Sequence, residues 1–561
     1  MATVTSSTSA AATAALATTT SGTKTTTSVD WDALIETMVA TKTQAATTIE
    51  TSITANEAKI AAYQQLQTLL ATVATDTTSL AKSIVNSLSS SAYGARAATI
   101  SSTGDVSASS AVSMAISNGA ATGDHTLTVT QIATAHKVIG TSVASKAADL
   151  GVTGTFTLGL EGGTSADISI TSGMTLEDLV DTINAQSSTT NVQASIIQIS
   201  SNQYEMILTA TKDNASIATS VVSGDDVLTS LGVTDSTGAF TDVLQAPQPA
   251  IFSVDGISLT RDTNNITDVL SGVSFSLLQS TPTGSTVDIS IEVDTSSIQS
   301  VLQQFVTSYN AVRDYVTSQQ TLTSSGTADT SSVLFGDGTM RNVMTEMEQV
   351  LNSIIGGMSM SDLGLSFSST NDLVLDTSTL ATTLADNLDG VISLLATKTS
   401  TSSSSLAVVN TSSSPPASFV MDISVDESGA LSASVNGDSS MFTVSGRTII
   451  GAAGTIYSGM AFTYSGSSSK SVTVTSTTGI AAQINAIATA ASNKSSGSLQ
   501  DLITNLQSQD DRMQQQIDDI NERAAIYRAM LVTQYAKYQS AISTANSTLD
   551  YLSALLNASS D

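Results

Sequence analysis

The last part of the sequence carries a regular stripe of apolar residues, which constrains the fold more than any other feature. Between Met513 and Leu556 the apolar positions are spaced by alternating steps of three and four residues, with a one-residue slip after Leu531. This is the spacing of a coiled-coil seam, sustained over about six heptads. One helix from Leu499 to Leu556 would be ~87 Å long, more than a globular core needs. The stripe must therefore be covered by another long helix, from this chain or from a neighbouring subunit.

A second stretch, near the start of the chain, also has helical periodicity. Apolar residues cluster at helical spacing in 29–39, and from Ile53 to Leu88 they recur every three, four or seven residues without an intervening proline. This predicts a long amphipathic helix or a pair of helices. Helical spacing returns in 298–398. Because the two chain ends can pair without threading one loop through another, we expect them to form an elongated antiparallel coiled-coil leg.

The sequence between these helical segments alternates with a period of two, which is typical of half-buried β-strands. Alternation marks 126–130, 156–160, 273–277 and 287–293. Thr175–Asp178 resembles a capping box in front of a short helix. We therefore predict an α+β, multi-domain chain, in which β-rich head domains are inserted between the two halves of the leg.

Domain boundaries are predicted where periodicity or composition changes. In chain order the predicted segments are a disordered Ser/Thr/Ala-rich leader (1–28), N-terminal leg helices (29–96), a β-rich head domain in two pieces (97–150 and 237–297), a second β-rich head domain between them (151–236), a helical leg segment (298–398), a Ser/Pro linker (399–416), an inserted β domain (417–478) and C-terminal coiled-coil helices (479–561). The leader and the linker are assigned from composition, because Ser and Thr runs offer no core.

Composition excludes several classes of function. The 561 residues include no cysteine and two histidines, and the formal net charge is −29. Absence of cysteine excludes disulfide frameworks, thiolate metal sites and cysteine nucleophiles. The acidic balance argues against nucleic-acid binding. No apolar run approaches the roughly 20 residues of a membrane span, and the start lacks the features of a secretory signal. We expect no cofactor, no metal site, no membrane insertion and no enzymatic activity.

The few residues that could carry chemistry each have a simpler interpretation. The acidic pairs Asp225–Asp226 and Asp510–Asp511 lie in polar stretches and are interpreted as solvated surface. His125 and His136 are too far apart for a short metal-ligand motif and are interpreted as polar surface or hydrogen-bonded residues. The glycine-rich segment 336–338 has no phosphate-binding context and is interpreted as a turn before a helix.

The candidate assembly interface lies on the two terminal helical stripes. Trp31 is the sole tryptophan and stands beside the leader on a short apolar patch. Two interpretations stay open for it: packing within the leg, or anchoring in a partner subunit, since large aromatic side chains concentrate interface energy. The C-terminal stripe has little chain after it to cover it, which favours assembly. The candidate residues are Trp31, Leu34, Ile35, Met38, Tyr538, Ile542, Leu549, Leu552 and Leu556.

Several short phrases occur together in 249–395: Phe252–Gly256, Asn265–Val273, Phe305–Val312, Leu334–Arg341 and Leu363–Asp376. In this order and spacing they resemble the bacterial flagellar filament cap proteins, the flagellar hook-associated protein 2 family. The helices up to Leu88 resemble the N-terminal domain of that family. Residues 155–210 resemble a β-rich motif shared with other hook-associated proteins, and Ala529–Leu556 resembles the closing helix. The leader and the 417–478 insertion depart from the family pattern.

The resemblance implies a structural role outside the cell. It implies a homo-oligomeric ring, commonly of five subunits, at the distal tip of the filament, where it promotes insertion and folding of exported flagellin. It also implies contacts with hook–filament junction proteins, a dedicated export chaperone at the C-terminal helices, and secretion by the flagellar export apparatus. Terminal helices that become ordered on contact would suit a ring placed on a helical filament.

Two other functions compete with this interpretation. A flagellar-tip or surface adhesin would use the β-rich head domains to bind glycans, and deletion of 417–478 would then abolish adhesion while motility persists. Flagellin itself is disfavoured, because the phrases in 249–395 belong to the cap pattern.

Overall fold

A computed structural model of the protein describes residues 16–21, 24–85, 88–412 and 414–558, with side chains described for 30–85, 88–412 and 414–556. The chain divides into two compact units. The first contains the chain up to Ala81, 301–396 and the chain from Thr478 onwards, and the second contains 82–300 and 397–477. Both terminal helices therefore belong to the first unit. The fold is α+β and multi-domain, as predicted.

The first unit is built mainly from helices contributed by separate parts of the sequence. Their bounds are α1 Trp31–Ala81, α6 Thr295–Ser318, α7 Gly338–Leu351, α8 Thr377–Asp386, α9 Leu388–Leu395, α10 Ile480–Ser492 and α11 Ser498–Ala558. A short hairpin joins β18 (Leu365–Phe367) to β19 (Leu373–Leu375). The two terminal helices are long and uninterrupted, with 51 residues in α1 and 61 in α11.

Helices α1 and α11 run antiparallel along each other. Contacting residues lie progressively later in α1 and earlier in α11: Trp31 meets Tyr535, Asn56 meets Asp510, and Gln67 meets Gln500. This confirms the predicted antiparallel pairing of the chain ends. The N-terminal partner is one continuous helix that stops at Ala81, before two short 3₁₀ turns at Leu88–Ser90 and Ala92–Gly94.

The end of α1 that is nearest Ala81 lies in an apolar core. Leu66, Leu70, Val73 and Leu80 are at most 1% exposed. Leu80 lines a small apolar cavity together with side chains of α6, α9 and α10. Asn485 of α10 donates from Nδ2 to the Ala74 carbonyl at 2.5 Å. We call this region, from Ala62 to Ala81, the basal half of α1, because it is anchored by several helices at once.

The second unit contains three β-domains, each with its own apolar core. The first β-domain consists of eight described strands and one short helix: β3 Arg96–Thr103, α2 Ala108–Ala111, β4 Val112–Ile116, β5 Gly123–Gln131, β13 Ala250–Val254, β14 Ile257–Arg261, β15 Asn265–Leu270, β16 Val273–Leu277 and β17 Thr286–Val293. The strands form two antiparallel sheets, ordered β14-β13-β5-β17-β3 and β15-β16-β4. The alternation predicted in 273–277 and 287–293 is confirmed, because Val273, Phe275, Leu277, Val287, Ile289 and Ile291 are buried.

The second β-domain combines two sheets with short helices. Its elements are β6 Ala135–Ile139, β7 Gly154–Leu160, β8 Ser165–Ile170, α3 Leu176–Ala185, α4 Ser187–Thr190, β9 Val192–Ser200, β10 Gln203–Asp213, β11 Ile217–Gly224, α5 Val227–Ser230 and β12 Asp242–Gln245. The sheets are ordered β12-β6-β10-β9 and β11-β7-β8. The predicted capping box is confirmed: Thr175 accepts from the Asp178 amide, and Asp178 accepts from the Thr175 amide.

The third β-domain contains two four-stranded antiparallel sheets. Their strands are β20 Lys398–Thr401, β21 Leu406–Asn410, β22 Ser418–Val425, β23 Leu431–Ser434, β24 Phe442–Ser445, β25 Thr448–Gly451, β26 Ala461–Tyr464 and β27 Lys470–Thr477. The orders are β20-β27-β22-β23 and β21-β26-β25-β24. Phe419, Phe442, Tyr457 and Phe462 form an aromatic cluster in the core.

The predicted boundary between the first two head domains is wrong. Residues 97–150 and 237–297 were expected to form one domain around 151–236. Instead, β6 pairs with both β10 and β12. Both strands therefore belong to the second β-domain, which runs from Ala135 to Gln245. Strand periodicity is local, whereas domain membership depends on which distant strands share hydrogen bonds.

The predicted Ser/Pro linker at 399–416 is also wrong. Strands β20 and β21 lie largely within it and pair with β27 and β26, respectively. The third β-domain therefore starts at Lys398 rather than at 417. The Ser- and Thr-rich composition is compatible with strands because the hydroxyls are used: Thr399 Oγ1 lies 2.7 Å from Thr411 Oγ1 and 2.9 Å from Ser476 Oγ.

The predicted disordered leader at 1–28 is only partly covered by the described residues, since 1–15 and 22–23 lie outside them. The described remainder is not disordered. Strand β1 (Leu16–Ser21) pairs antiparallel with β2 (Lys24–Val29), and Leu16 is opposite Val29. Threonine favours strands because its branched Cβ suits an extended backbone.

Candidate assembly surface on the terminal helices

The N-terminal candidate residues lie at the start of α1, where α1 meets α11. Trp31 stacks on Tyr535, with ring centroids 4.8 Å apart and an interplanar angle of 26°. Met38 Sδ lies 3.5 Å from the Tyr535 hydroxyl. Ile35 is buried, and Leu34 is partly buried. Packing within the leg thus accounts for the contacts of Trp31, and its anchoring of a partner subunit stays a prediction.

Charged side chains lie near this contact between the helices. Arg528 Nη2 lies 2.6 Å from Glu36 Oε1, and the Lys42 ammonium lies 5.4 Å from the centroid of the Tyr527 ring. Both members of the Arg528–Glu36 pair are more than half exposed. Such exposed ion pairs contribute little to stability, so the aromatic stack is the stronger contact at this end of the pair.

The C-terminal candidate residues lie beyond Tyr535. We define the C-terminal segment as Ala536–Leu556, in which every residue is exposed. At the rise of an α-helix it spans ~32 Å. Its candidate side chains are between 47% and 69% exposed: Tyr538, Ile542, Leu549, Leu552 and Leu556. The structure therefore does not bring the two candidate groups together. The N-terminal group packs against α11, whereas the C-terminal group lies on α11 itself, beyond its contact with Trp31.

The candidate set omits several residues at or beside this surface, although Tyr535 belongs to the apolar stripe read from the sequence. Tyr535 is the stacking partner of Trp31, and the slip in the apolar spacing occurs at this residue. Tyr551 and Leu555 are 67% and 50% exposed and widen the apolar stripe. They are four residues apart, so their helical spacing was a signal for a second apolar row.

The chemistry of the C-terminal segment suits contact with another apolar helix. Lys537 and Asp550 are its only charged residues by sequence. An exposed apolar patch of this kind marks an interaction site more often than an ordinary soluble surface. The 3-4 spacing of Tyr538, Ile542, Leu549 and Leu552 is that of a coiled-coil seam. Burial of this stripe against a second stripe would therefore be favourable.

The acidic residues singled out by sequence are structural. Asp226 caps α5 by accepting from the Thr229 amide, and Asp225 accepts from the Thr153 amide. Asp337 caps α7 through the Met340 amide at 2.8 Å and accepts from the Tyr63 hydroxyl at 2.7 Å. Burial, and then this hydrogen bond, raise the pKa of Tyr63.

The structure corrects the expectation for Asp510, and for His136 it agrees with the second of the two interpretations, a hydrogen-bonded residue. Asp510 is only partly exposed, and it accepts a hydrogen bond from Asn56 of α1. His136 is buried, and its Nδ1 accepts from the Ile217 amide at 2.9 Å. Burial lowers the pKa of His136. His125 lies 2.8 Å from Asp255, and this contact lowers the pKa of the Asp255 carboxyl.

Within the described ranges, no group of three or more His, Cys, Asp or Glu side chains is placed to hold a metal ion. In the same part of the chain, no helix has the length and apolar character needed to cross a membrane.

An α+β chain whose two ends pair as long antiparallel helices defines the class of protein, and comparison with known families identifies it further. A model of the flagellar hook-associated protein 2 C-terminus matches residues 247–547, and a model of the N-terminus of the same protein matches 27–136. A flagellin hook IN motif matches 155–212. Since the first model covers more than half of the chain, this protein belongs to the flagellar hook-associated protein 2 family. The resemblance inferred from sequence is confirmed.

The relatives are distant in sequence. The chain is 26% identical to flagellar hook-associated protein 2 of Escherichia coli (strain K12) over 65% of this chain and 78% of that protein. It is 25% identical to A-type flagellar hook-associated protein 2 of Pseudomonas aeruginosa over 48% of this chain, and spans 61% of that relative. The crystal structure of the D1–D2–D3 domains of the Escherichia coli flagellar cap protein FliD matches with a TM-score of 0.46 at 25% identity, covering 60% of this chain and 90% of that one.

Proposed function

We propose that this protein is a structural cap at the distal tip of the bacterial flagellar filament, where it promotes insertion and folding of exported flagellin. Family membership supports this role. The structural observation that carries it is the C-terminal segment, an exposed apolar helix that extends past the Trp31–Tyr535 contact. A cap must hold a growing filament through contacts that form and release, and a projecting helix provides such a contact. The role is structural rather than catalytic.

The proposal includes partners and a location. The protein would form a ring of identical subunits, commonly five, and would contact flagellin and the hook–filament junction proteins. A dedicated export chaperone would cover the C-terminal helices before secretion by the flagellar export apparatus. The chain has no cysteine, so no disulfide would form during passage of the unfolded chain to the outside.

The C-terminal segment is proposed as the main contact with these partners. Most of the stability of a protein helix comes from packing of an apolar face, and every side chain of this segment is exposed. Docking of Tyr538, Ile542, Leu549 and Leu552 on an apolar partner stripe would supply that packing. The N-terminal candidates would act indirectly, by holding α11 where this segment begins.

The proposal is tested by making the stripe polar. The triple variant Ile542→Asn, Leu549→Asn, Leu552→Asn should allow secretion of the protein but leave flagellin as monomer in the medium, with short or absent filaments. A matched control, Thr544→Asn, Ser547→Asn, Ser553→Asn, places the same side chain at other positions of the same segment and should give normal filaments. Normal filament growth in the first variant would contradict the proposal.

Deletion of Asp550–Asp561 gives a second test. The β-domains should fold as before, as measured by circular dichroism and thermal unfolding of the purified protein, while capping is lost. Full capping by this truncated chain would count against the proposed site. The comparisons lend no support to the adhesin alternative, and we do not propose it.

A further inference from the structure

Strand β9 (Val192–Ser200) lies at one edge of the sheet ordered β12-β6-β10-β9 in the second β-domain. Its nine residues include no charged side chain, no proline and no glycine. From Ile197 to Ser200 every residue is exposed. An open sheet edge presents backbone groups that can pair with another chain, and folded proteins usually protect it.

The other edge strands of this domain carry such protection. Strand β12 has only four residues and begins with Asp242. Strand β8 carries the exposed Asp167, and the pairing of β11 is bulged between Val221 and Ser223. Short strands, charges and bulges all disfavour pairing along an edge. The middle of β9 has none of these features.

The backbone groups of Ile196 and Gln198 point away from β10, towards the open edge. Met206 and Tyr204 lie opposite them on β10 and bond to the other side of that strand. The Met206 carbonyl accepts from the residue that follows β6, and Tyr204 exchanges two hydrogen bonds with Val143. Because an antiparallel strand bonds to its two sides in alternation, Ile196 and Gln198 do not bond to β10. Within the described parts of the chain, their amides and carbonyls have no hydrogen-bond partner.

The open edge is bounded at both ends. Asn184 of α3 donates from Nδ2 to the Ala194 carbonyl and accepts at Oδ1 from the Ala194 amide, both at 2.9 Å. These are the two bonds that a neighbouring strand would make to an edge residue. At the other end, the pairing with β10 shifts register between Gln198 and Ser200. The open groups are therefore confined to a short stretch centred on Ile197.

We propose that this edge pairs with the same edge of a second copy of the chain, antiparallel and about a two-fold axis at Ile197. In this register Ile196 of each copy lies opposite Gln198 of the other, so that all the open amides and carbonyls form hydrogen bonds. The two Ile197 side chains face each other at a non-hydrogen-bonded position, where side chains are closest. The four strands of each sheet then join into one continuous sheet.

Charge favours a second β9 as the occupant of this edge. The formal net charge of −29 makes most surfaces of two copies repel each other, but β9 itself has no charge. Glu205 of β10 lies opposite Ile197. In the paired sheet the two Glu205 residues are three strand spacings apart, about 14 Å. This distance exceeds the screening length of roughly 8–10 Å at physiological salt. Pairing also covers Ile197 and Ile199, which are 45% and 54% exposed.

This contact is separate from the proposed ring. A two-fold contact uses the same patch on both copies and closes after two of them, whereas a larger ring is built from head-to-tail contacts. The pairing of β9 therefore does not rest on the capping role. Because the paired stretch is short, the association is weak and depends on protein concentration.

Disulfide trapping tests the pairing, because the chain has no cysteine of its own. Residues that face each other at a non-hydrogen-bonded position have Cβ atoms about 4.5–5.5 Å apart, close to the separation in a disulfide. Full-length Ile197→Cys protein under mild oxidation should therefore give a disulfide-linked dimer on a denaturing, non-reducing gel. The matched control is Ile257→Cys in β14, at a residue that is 66% exposed. Its dimer yield should be several-fold lower, and equal yields would overturn the proposal.

The hydrogen bonds are tested in the same Ile197→Cys protein. Gln198→Pro removes an amide on the open side and none that bonds to β10, and edge strands tolerate proline. It should lower the dimer yield several-fold. Gln198→Ala keeps the amide and should leave the yield unchanged. An unchanged yield with proline, or an equal loss with alanine, would contradict the proposed register.

If Gln198→Pro loses strand content by circular dichroism, a charge swap decides. Ile197→Lys and Ile197→Glu each place like charges at the two-fold axis, so neither protein should pair with itself, whereas the two should pair when mixed. Carbodiimide coupling and peptide mass spectrometry then detect an amide bond between the two introduced side chains. Its presence in the mixture supports the proposal, and its absence overturns it. Filament growth is not measured, so the result is independent of the capping role.

Discussion

The Trp31 ring stacks on the Tyr535 ring at 4.8 Å, and this contact separates two parts of α11. On one side α11 packs along α1. On the other side, from Ala536 to Leu556, every residue is exposed. The same apolar stripe therefore serves as an internal seam before Tyr535 and as an exposed surface after it. The position of α1 decides which part of the stripe is covered within the chain.

Replacement of Trp31 by alanine should loosen the distal end of the helix pair. Loss of the stacked ring and of its buried surface is expected to cost about 1–3 kcal/mol of local stability. Amide hydrogen exchange at the start of α1 measures this directly and should accelerate, while exchange in the β-domains stays as in the wild type. Trp31→Phe keeps an aromatic partner and should show a smaller change. Unaltered exchange in Trp31→Ala would show that the stack contributes nothing.

The second β-domain should lose stability in mild acid because of His136. Burial lowers the pKa of His136 in the folded protein, whereas the unfolded chain titrates near the ordinary value of 6.5. Below about pH 6.5 the unfolded state therefore binds more protons, and the free energy of unfolding falls as the pH falls. Urea unfolding at pH 7.5 and pH 5.5, monitored by exchange in β6 and β11, measures this.

The matched control for this prediction is His136→Gln. Its side chain keeps an acceptor for the Ile217 amide but does not titrate. It should be less stable than the wild type at pH 7.5 and should show less change between the two pH values. An equal pH dependence in both proteins would mean that other groups are responsible.

Asp376 should stabilise α8 until the solution becomes strongly acidic. Hydrogen bonds from Ser378 and Thr379 lower the pKa of Asp376 to about 2. The hydrogen bond from the Ser378 hydroxyl makes the largest contribution. Because the folded pKa is below the unfolded value of 3.8, this stabilisation is present above about pH 4 and is lost as the pH falls towards 2. Asp376→Ala should unfold at lower temperature at pH 6, and Asp376→Asn, which keeps a capping oxygen, should lose less. Equal melting temperatures for Asp376→Ala and the wild type would contradict this.

The third β-domain should be removable as a unit. Lys398 and Thr477 are paired neighbours at the ends of β20 and β27, so the two ends of the domain lie side by side. Deletion of 398–477 with a short Gly–Ser connection should leave the first unit with native helix content and a monodisperse elution profile. Deletion of 417–478, the boundary expected from sequence, leaves β20 and β21 without partners and should cause aggregation. Equal behaviour of the two deletions would argue against the revised boundary.

Much of the local structure follows from sequence patterns. The apolar spacing after Met513 predicted that this part of the chain is helical, because a helical stripe needs only neighbours three and four positions away. The capping box at Thr175 was also evident, since both partners lie within one turn. The same short-range spacing marks the stripe at Tyr538 and Leu549.

Long-range pairing was not evident from these patterns. The strands of 399–416 were hidden by their Ser and Thr content, and β6 was assigned to the wrong domain because its partners, β10 and β12, lie far away in sequence. Asn56 and Asp510 looked like ordinary polar residues, and only the antiparallel register brings them within 2.7 Å. His136 likewise became a buried residue through the packing of β6.

The sequence alone determined that both chain ends are helical, that the middle is rich in strands and that the chain has no cysteine chemistry. These are properties of composition and short-range periodicity. Only the tertiary structure decided where the stripe of α11 is covered, because that depends on the point at which α1 begins opposite Tyr535. The contact between Trp31 and Tyr535, about five hundred positions apart, marks where α1 stops covering the apolar stripe of α11. The spacing of apolar residues within α11 contains no information about where α1 begins.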